Sequence, residues 1–219
     1  MKALVKKAPE PGLVLIEKPI PQLTADGVRI RVLATSICGT DLHIYNWDPW
    51  AASKVAAPLT VGHEFCGEVM EVGEKVSRFQ AGDYVAAESH VFCDHCRPCR
   101  SGQRHICENE KIIGVQRDGA FAEQIVMPER CIWRTSTDLP PDIATLQEPL
   151  GNSVHATLAG EVSRRHVMVT GCGPTGLFAV AIAKTCGAAS VMAIDVQDYR
   201  LDLASKLGAD LVWQIGTGY

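Results

Sequence analysis

Four cysteines, Cys93, Cys96, Cys99 and Cys107, follow the spacing C-x-x-C-x-x-C-x7-C. Three thiolates at three-residue intervals can curl around one ion, and the fourth returns after a short loop that contains Gly102. Four soft sulfurs suit tetrahedral Zn2+ and leave no position for a substrate, so the expected site is structural. The competing reading is disulfide pairing or reactive thiols, which an oxidising compartment would favour. Cys66, Cys131, Cys172 and Cys186 fall within strand or helix patterns and read as small buried hydrophobes.

A second group of metal-binding side chains comes earlier in the chain. Cys38, in the run SICGTDLH, is followed by Gly62-His63-Glu64. A thiolate, an imidazole and a carboxylate can hold zinc and leave one position open, the pattern of a catalytic centre. Zinc there would act as a Lewis acid on an alcohol oxygen, easing loss of its proton and then of a hydride. Thr40 and His43 share one face of a helical turn just beyond Cys38. A hydroxyl and an imidazole so placed are suited to pass the alcohol proton to solvent. The plainer alternative is that Thr40 only caps the turn.

The third motif is HVMVTGCGPTG, in which Gly171, Gly173 and Gly176 take the spacing G-x-G-x-x-G. A strand pattern precedes it and a helix pattern follows, the context a dinucleotide turn requires. Glycines allow the backbone to approach a pyrophosphate, and a helix N-terminus stabilises its charge. Asp195 ends the next strand pattern roughly 20 residues on, where a carboxylate binds a ribose 2′-hydroxyl and repels a 2′-phosphate. NAD is therefore expected over NADP. The alternative for Asp195 is a cap on the helix DYRLDLASK, for which Asp198 is the nearer candidate.

These motifs sit on two kinds of chain. The segments GLVLIEKPIP, GVRIRVLATSIC, GHEFCGEVMEVGEKV, GDYVAAESH and GAFAEQIVMP are rich in β-branched residues and separated by Gly, Pro and Asp. They predict a closed or sandwiched antiparallel β domain. The character changes near LPPDIATLQEPLGN, where Asp142 is a candidate N-cap and Pro149 suits the first turn of the next helix. Buried strand HVMVTG, helix PTGLFAVAIAKTCG, strand SVMAIDV, helix DYRLDLASKLG and strand LVWQI then alternate as the start of a doubly wound parallel sheet. The boundary falls near Glu148, giving domains 1–148 and 149–219. The second domain reads as a partial, apparently truncated Rossmann unit that finishes with QIGTGY. Its open side is expected to leave Val167, Val169, Val191 and Ile194 poorly covered, and the 219-residue chain alone is expected to be inactive.

Composition limits the function classes. Hydrophobic residues make up 47% and charged residues 21%, a globular mix, and the formal net charge of −4 comes from scattered charges of both signs. No basic stripe points to nucleic acid or an anionic membrane. The opening MKALVKKAPE has too short an apolar run for a secretory signal, and no stretch has the length of a membrane span. A soluble cytoplasmic protein is the expectation, in which the high and odd count of nine cysteines points to metal binding.

With these residues in view, the chain resembles the zinc-containing medium-chain alcohol and polyol dehydrogenases. The segments ICGTDLHIYNWDPW, VGHEFCGEV, CDHCRPCRSGQRHIC, QEPLGNSVHA and DYRLDLA carry the resemblance. HIYNWDPW and EPLGNSVH point to the threonine 3-dehydrogenase branch. The resemblance implies an α/β protein with an N-terminal GroES-like β domain and a Rossmann domain. It implies catalytic zinc on Cys38, His63 and Glu64, and structural zinc on Cys93, Cys96, Cys99 and Cys107. Thr40 and His43 would form the relay, and Glu148 would approach the catalytic zinc and assist proton transfer. Asp195, Arg200 and the backbone at Thr175 would lie along NAD. His90 would border the substrate pocket, although a hydrogen-bonded strand-end histidine is an equal reading of that residue. Oxidation of L-threonine to 2-amino-3-oxobutanoate, in a homotetramer, follows from the same resemblance. A related polyol or secondary-alcohol dehydrogenase, or a non-catalytic zinc-binding chain, is the alternative. Thr175 and Leu150 depart from the usual aliphatic and Phe residues at those places.

Overall fold

The computed structural model describes residues 1–216, so the end of the QIGTGY tail lies outside the described residues. The strands are β1 (Lys2–Lys6), β2 (Val14–Glu17), β3 (Gly27–Ser36), β4 (Leu59–Thr60), β5 (Glu64–Val72), β6 (Tyr84–Ala87), β7 (His90–Val91), β8 (Lys111–Ile112), β9 (Gln124–Pro128), β10 (Ile132–Arg134), β11 (His166–Thr170), β12 (Ser190–Asp195) and β13 (Leu211–Gln214). The helices are α1 (Gly39–Asn46), α2 (Pro49–Lys54), α3 (Arg97–Arg100), α4 (Pro141–Ala144), α5 (Gln147–Leu158), α6 (Pro174–Thr185) and α7 (Asp198–Lys206). The chain divides into two compact units, Met1–Glu148 and Pro149–Tyr219.

In the first unit, alternation along GVRIRVLATS makes β3 the organising strand. Val28 and Ile30 turn inward and are fully buried, while Arg31 faces out. β3 pairs antiparallel with β5 on one side and β9 on the other, within a five-stranded sheet ordered β10-β6-β5-β3-β9. A three-stranded sheet, β2-β1-β4, and the short pair β7-β8 complete the antiparallel structure. The main core gathers Val28, Ile30, Phe65, Val69, Val85 and Met127. Each such side chain, fully buried, contributes about 1.5–3 kcal/mol relative to exposure.

The helix near residue 141 starts two residues earlier than expected. Pro140 stands at the N-cap and Pro141 at the first position, so Asp142 lies inside the first turn and does not cap it. A proline needs no amide partner there, which lets the helix begin without a capping side chain. Cys66, Cys131 and Cys172 are buried as expected, but Cys186 is only half-buried because it ends α6 as its C-cap.

The second unit is a parallel sheet ordered β11-β12-β13. Val191 and Ala193 pack with Val180 and Ala183 of α6 and Leu201 and Ala204 of α7. The expectations for exposure here need correcting. β11 is not a buried strand but alternates exposed and half-buried residues, because it lies at the sheet edge with helices on one face. Val191 is fully buried on that helix-covered face, and Val167 and Val169 pack against the same cluster. The exposed apolar face carries Met168, Leu211 and Trp213, which are 63%, 54% and 60% exposed. Side chains alternate across a strand, so a one-residue change of face reverses which set is covered.

Candidate active site

The register of β3 on β5 assembles the first metal-type group. Ser36 stands opposite Glu64, so the turn after β3, which carries Cys38, lies beside His63 and Glu64. Gly62 has φ +89°, and a Cβ added there would sit 2.1 Å from the Phe121 ring. Only glycine lets the chain turn here while Phe121 packs against it. One donor atom from each of Cys38, His63 and Glu64 lies within 4.8 Å of the others. His63 and Glu64 are each 6% exposed, and Ser36 Oγ donates to Glu64 Oε2 at 2.5 Å.

Asp41, in the first turn of α1, is built into the same place. Its Oδ2 accepts the Cys38 amide at 2.9 Å, which ties the cysteine to the helix start. Its Oδ1 lies 3.6 Å from His63 Nδ1, and neither of these buried atoms has a hydrogen-bond partner. Orphaned buried polar atoms are costly. A metal-ligating histidine usually presents its second ring N–H to a carboxylate, so this pair fits a metal held on the other side of the ring. Burial disfavours the charged imidazole, but Asp41 and Cys38 outweigh it and raise the His63 pKa to about 10.

Thr40 and His43 both lie on α1, Thr40 half-buried and His43 exposed. His43 Nδ1 pairs with Asp48 Oδ2, and its ring centroid lies 5.6 Å from that of Trp50. Asp48 is held from below, because its Oδ1 caps α2 by accepting the Ala51 amide at 2.9 Å. That amide, and then His43, keeps the Asp48 carboxyl below its ordinary pKa.

The cysteine knuckle closes on itself. The four sulfurs of Cys93, Cys96, Cys99 and Cys107 lie within 4.8 Å of one another, and all nine cysteines are free thiols. Cys96 Sγ and Cys107 Sγ are 3.8 Å apart. That is too long for a disulfide and close to the edge of a tetrahedron with Zn–S bonds of about 2.3 Å. The Cys93 and Asn109 amides point at Cys107 Sγ from 3.2 and 3.4 Å, and the Cys96 amide points at Cys93 Sγ from 3.4 Å. The His95 amide is the largest influence lowering the Cys93 pKa, whereas burial and the neighbouring sulfurs push the Cys99 thiol up. Donors aimed at sulfur favour thiolates, the form a zinc ion takes.

Glu148 and His90 meet in a separate group with Glu88, their donor atoms within 4.8 Å. His90 Nδ1 lies 3.0 Å from Glu88 Oε1 and 2.9 Å from Ser89 Oγ, and Ser89 Oγ donates to Glu148 Oε1 at 2.5 Å. Glu148 therefore joins His90, not the Cys38, His63 and Glu64 set, in the grouping the structure presents.

In the second unit, β11 delivers the chain to the glycine turn and α6 follows it. Gly171 has φ +87°, and a Cβ on Gly176 would lie 1.9 Å from the Gly171 carbonyl oxygen. Both glycines are demanded by the fold. Gly173, the N-cap of α6, has no such constraint: a Cβ there would meet nothing within 4 Å. Space over a glycine at a helix start is what close approach of a phosphate needs. Asp195 is buried at the end of β12, with Oδ2 accepting the Cys172 amide at 2.6 Å and Oδ1 the Gln197 amide at 2.8 Å. Burial opposes its ionisation, yet those amides and Arg200, at 3.7 Å, hold its pKa below the ordinary value. Gln197 is the N-cap of α7, and Asp198 makes no cap bond. Asp195 thus joins the glycine turn to the start of α7. Thr175 lies in the first turn of α6, and Arg200 stacks on Tyr199 at 5.6 Å.

Sequence reasoning missed Asp41, Ser36, Asp48, Glu88 and Ser89. Two of these had signals. Asp41 stands three residues after the cysteine that starts a helix, the place from which an acid reaches back to the N-cap amide. Asp48 precedes Pro49 at a helix start. Ser36 acts across 28 residues on Glu64 and Ser89 across 59 on Glu148, whereas Glu88 and Ser89 also touch the neighbouring His90 without forming any motif.

Comparison with known proteins gives a consistent picture. Residues 24–137 match the alcohol dehydrogenase GroES-like domain, and residues 174–217 match the zinc-binding dehydrogenase domain. The chain is 51% identical over 212 residues to an L-threonine 3-dehydrogenase of Symbiobacterium thermophilum, covering 97% of this chain and 60% of that protein. It is 53% identical over 209 residues to one of Bacillus licheniformis, covering 95% and 60%. Among solved structures, galactitol-1-phosphate dehydrogenase from Escherichia coli aligns with a TM-score of 0.89 and 33% identity, over 97% of this chain and 60% of that one. A zinc-binding dehydrogenase from Sinorhizobium meliloti bound to NADP aligns with a TM-score of 0.90 and 29% identity, over 97% and 61%. The chain therefore spans about 60% of the length of the curated relatives it matches.

Proposed function

The chain belongs to the alcohol dehydrogenase family with a GroES-like domain, and from that premise we propose that the protein oxidises L-threonine to 2-amino-3-oxobutanoate with hydride transfer to NAD. The observation that carries the reading is the convergence of Cys38, His63 and Glu64, one donor atom from each within 4.8 Å of the others and His63 and Glu64 buried. We assign these three residues to a catalytic zinc, and Cys93, Cys96, Cys99 and Cys107 to a structural one. Zinc in the first site supplies Lewis acidity toward a substrate hydroxyl.

The chain's own residues do the rest. Asp41 orients His63 and selects the ring nitrogen left for binding. Thr40 and His43 move the hydroxyl proton outward along one face of α1. Asp48 orients the His43 ring through its contact with Nδ1, and the exposure of that ring lets it pass the proton to water. Glu148 assists as a second proton acceptor, with His90 beside it. The glycine turn and Asp195 would hold the pyrophosphate and ribose of NAD, with Arg200 alongside. The threonine assignment is supported by the identity of about half the residues with threonine 3-dehydrogenases. A cytoplasmic homotetramer is part of the same reading; among the described residues no helix is long and apolar enough to cross a membrane.

A polyol or other secondary alcohol is the second reading, favoured by the likeness to a galactitol-1-phosphate dehydrogenase. A panel of L-threonine, polyols and simple secondary alcohols with NAD+ and NADP+, assayed on the protein at the full length of its curated relatives, separates the two. Preference for L-threonine with NAD+ is expected. Absence of any zinc-dependent oxidation across the panel would leave only the non-catalytic zinc-binding alternative.

A further inference from the structure

Between β6 and β7 the backbone is pinned on both sides. The Glu88 amide donates to the Cys131 carbonyl at 2.8 Å, and the Ser89 carbonyl accepts the Ile113 amide at 3.0 Å. Ser89 is 1% exposed, and this framework holds its hydroxyl between Glu148 Oε1 at 2.5 Å and His90 Nδ1 at 2.9 Å. A serine hydroxyl has one proton to give. Against an ionised carboxylate it is the donor, so it can only accept from the imidazole. His90 must then carry its proton on Nδ1, shared between Ser89 Oγ and Glu88 Oε1, with Nε2 turned toward Glu110 at 4.0 Å.

We propose that Ser89 is a positioning residue that couples the ionisation of Glu148 to that of His90, through one hydroxyl whose direction both groups share. With Glu148 ionised, donation runs from His90 Nδ1 to Ser89 and from Ser89 to Glu148. When Glu148 holds a proton, it donates to Ser89, and the hydroxyl turns to His90 Nδ1, which must then be bare. Passing between the two states, one proton moves. An N–H bond breaks at His90 and an O–H forms on Ser89, while the original Ser89 O–H breaks and an O–H forms on Glu148. The charged groups that face His90 are Glu88, Glu110 and Glu148. The hydrogen bond to Glu88, and then Glu110 and Glu148, raises its pKa against the effect of burial. The use of this pair in turnover rests on the proposed dehydrogenase reading; the coupling itself does not.

Nitrogen-15 NMR of the histidine rings in the zinc-replete protein tests the coupling. The parent should show His90 protonated at Nδ1. Ser89→Ala should lower the His90 midpoint by at least about 0.5 pH unit and mix its tautomers, because an acceptor for Nδ1–H is lost. Ser89→Thr, which keeps the hydroxyl, should restore the parent behaviour. In a Glu148→Gln background, where no carboxylate fixes the direction of the hydroxyl, Ser89→Ala should produce a clearly smaller shift. An unchanged His90 midpoint and tautomer in Ser89→Ala, or an equal shift with and without Glu148, overturns the proposal. In the oxidation assay Ser89→Ala should displace the pH midpoint of turnover and Ser89→Thr should not. If no oxidation is found, the NMR result still decides the coupling, and the activity reading alone fails.

Discussion

Asp41→Asn is the sharpest probe of the proposed catalytic centre, because it changes the polarity of one contact and almost nothing of its shape. Asp41 Oδ1 lies 3.6 Å from His63 Nδ1 in a site where the two residues are 3% and 6% exposed. A full charge pair at that distance is worth about 4.6 kcal/mol at an effective dielectric of about 20, from 332/(20 × 3.6). A neutral ligating imidazole offers an N–H dipole, so the net gain is that of a hydrogen bond to a charged group, about 1.5–3 kcal/mol. Asparagine can still accept the Cys38 amide with its oxygen, preserving the bond now measured at 2.9 Å. Its NH2 group then faces His63 Nδ1 and favours the tautomer protonated on the other ring nitrogen, which cannot ligate. Zinc affinity at the Cys38, His63 and Glu64 site should fall about ten- to a hundredfold. Competition titration with a graded series of chelators measures this, with the four-cysteine site saturated throughout. Thermal unfolding of the zinc-loaded variant should stay close to the parent. An affinity within twofold of the parent would refute the claim that Asp41 orients His63.

The two zinc sites should separate by mutation. Cys96→Ser should lower metal content and melting temperature together, since a closed site contributes folding energy, whereas Cys38→Ser should lose one zinc with the fold intact; metal analysis alongside calorimetry checks both. In the glycine turn, Gly176→Ala should destabilise the second unit, because its Cβ would meet the Gly171 carbonyl at 1.9 Å. Gly173→Ala should leave stability unchanged and weaken NAD binding in a fluorescence titration, since its Cβ would project into open space. His43→Ala should slow oxidation at neutral pH and be partly rescued by small external bases, and a parent-like pH profile would remove His43 from the relay. Asp118 gives a pH test of stability. Burial opposes its ionisation, but the Lys18 ammonium at 2.7 Å and the Thr60 amide at 2.8 Å hold its folded pKa below the ordinary value. Its contribution is therefore complete above the unfolded pKa of about 3.9 and lost as pH falls through the folded value. As the side chain is 57% exposed, the contribution should be below about 1 kcal/mol. Urea unfolding of Asp118→Asn should show that deficit at neutral pH and none in strong acid.

Features set by short chain segments were legible before any coordinates. The C-x-x-C-x-x-C-x7-C spacing places four sulfurs together through local turns alone. The G-x-G-x-x-G run between a strand and a helix defines its own bend. Spacing along a few residues is enough because φ/ψ preferences and helix geometry act over that range. The second zinc group was legible only as residue types, because what joins Cys38 to His63 and Glu64 is the pairing of Ser36 with Glu64 across two strands. The same holds for the acid beside His63, whose importance comes from burial and from an Oδ1 atom that has no hydrogen-bond partner. Glu148 shows the limit most clearly. The resemblance implies a proton-transfer role for it, and the structure adds a hydroxyl donor, Ser89, 59 residues away, that no motif signals. In the second unit, the strand and helix pattern was readable but the covered face was not, since apolar residues lie on both sides of β11 and β12. A sequence states which groups exist and how far apart they lie along the chain. Strand register and burial, which are cooperative properties of the packed fold, decide which of them meet and which must share a proton.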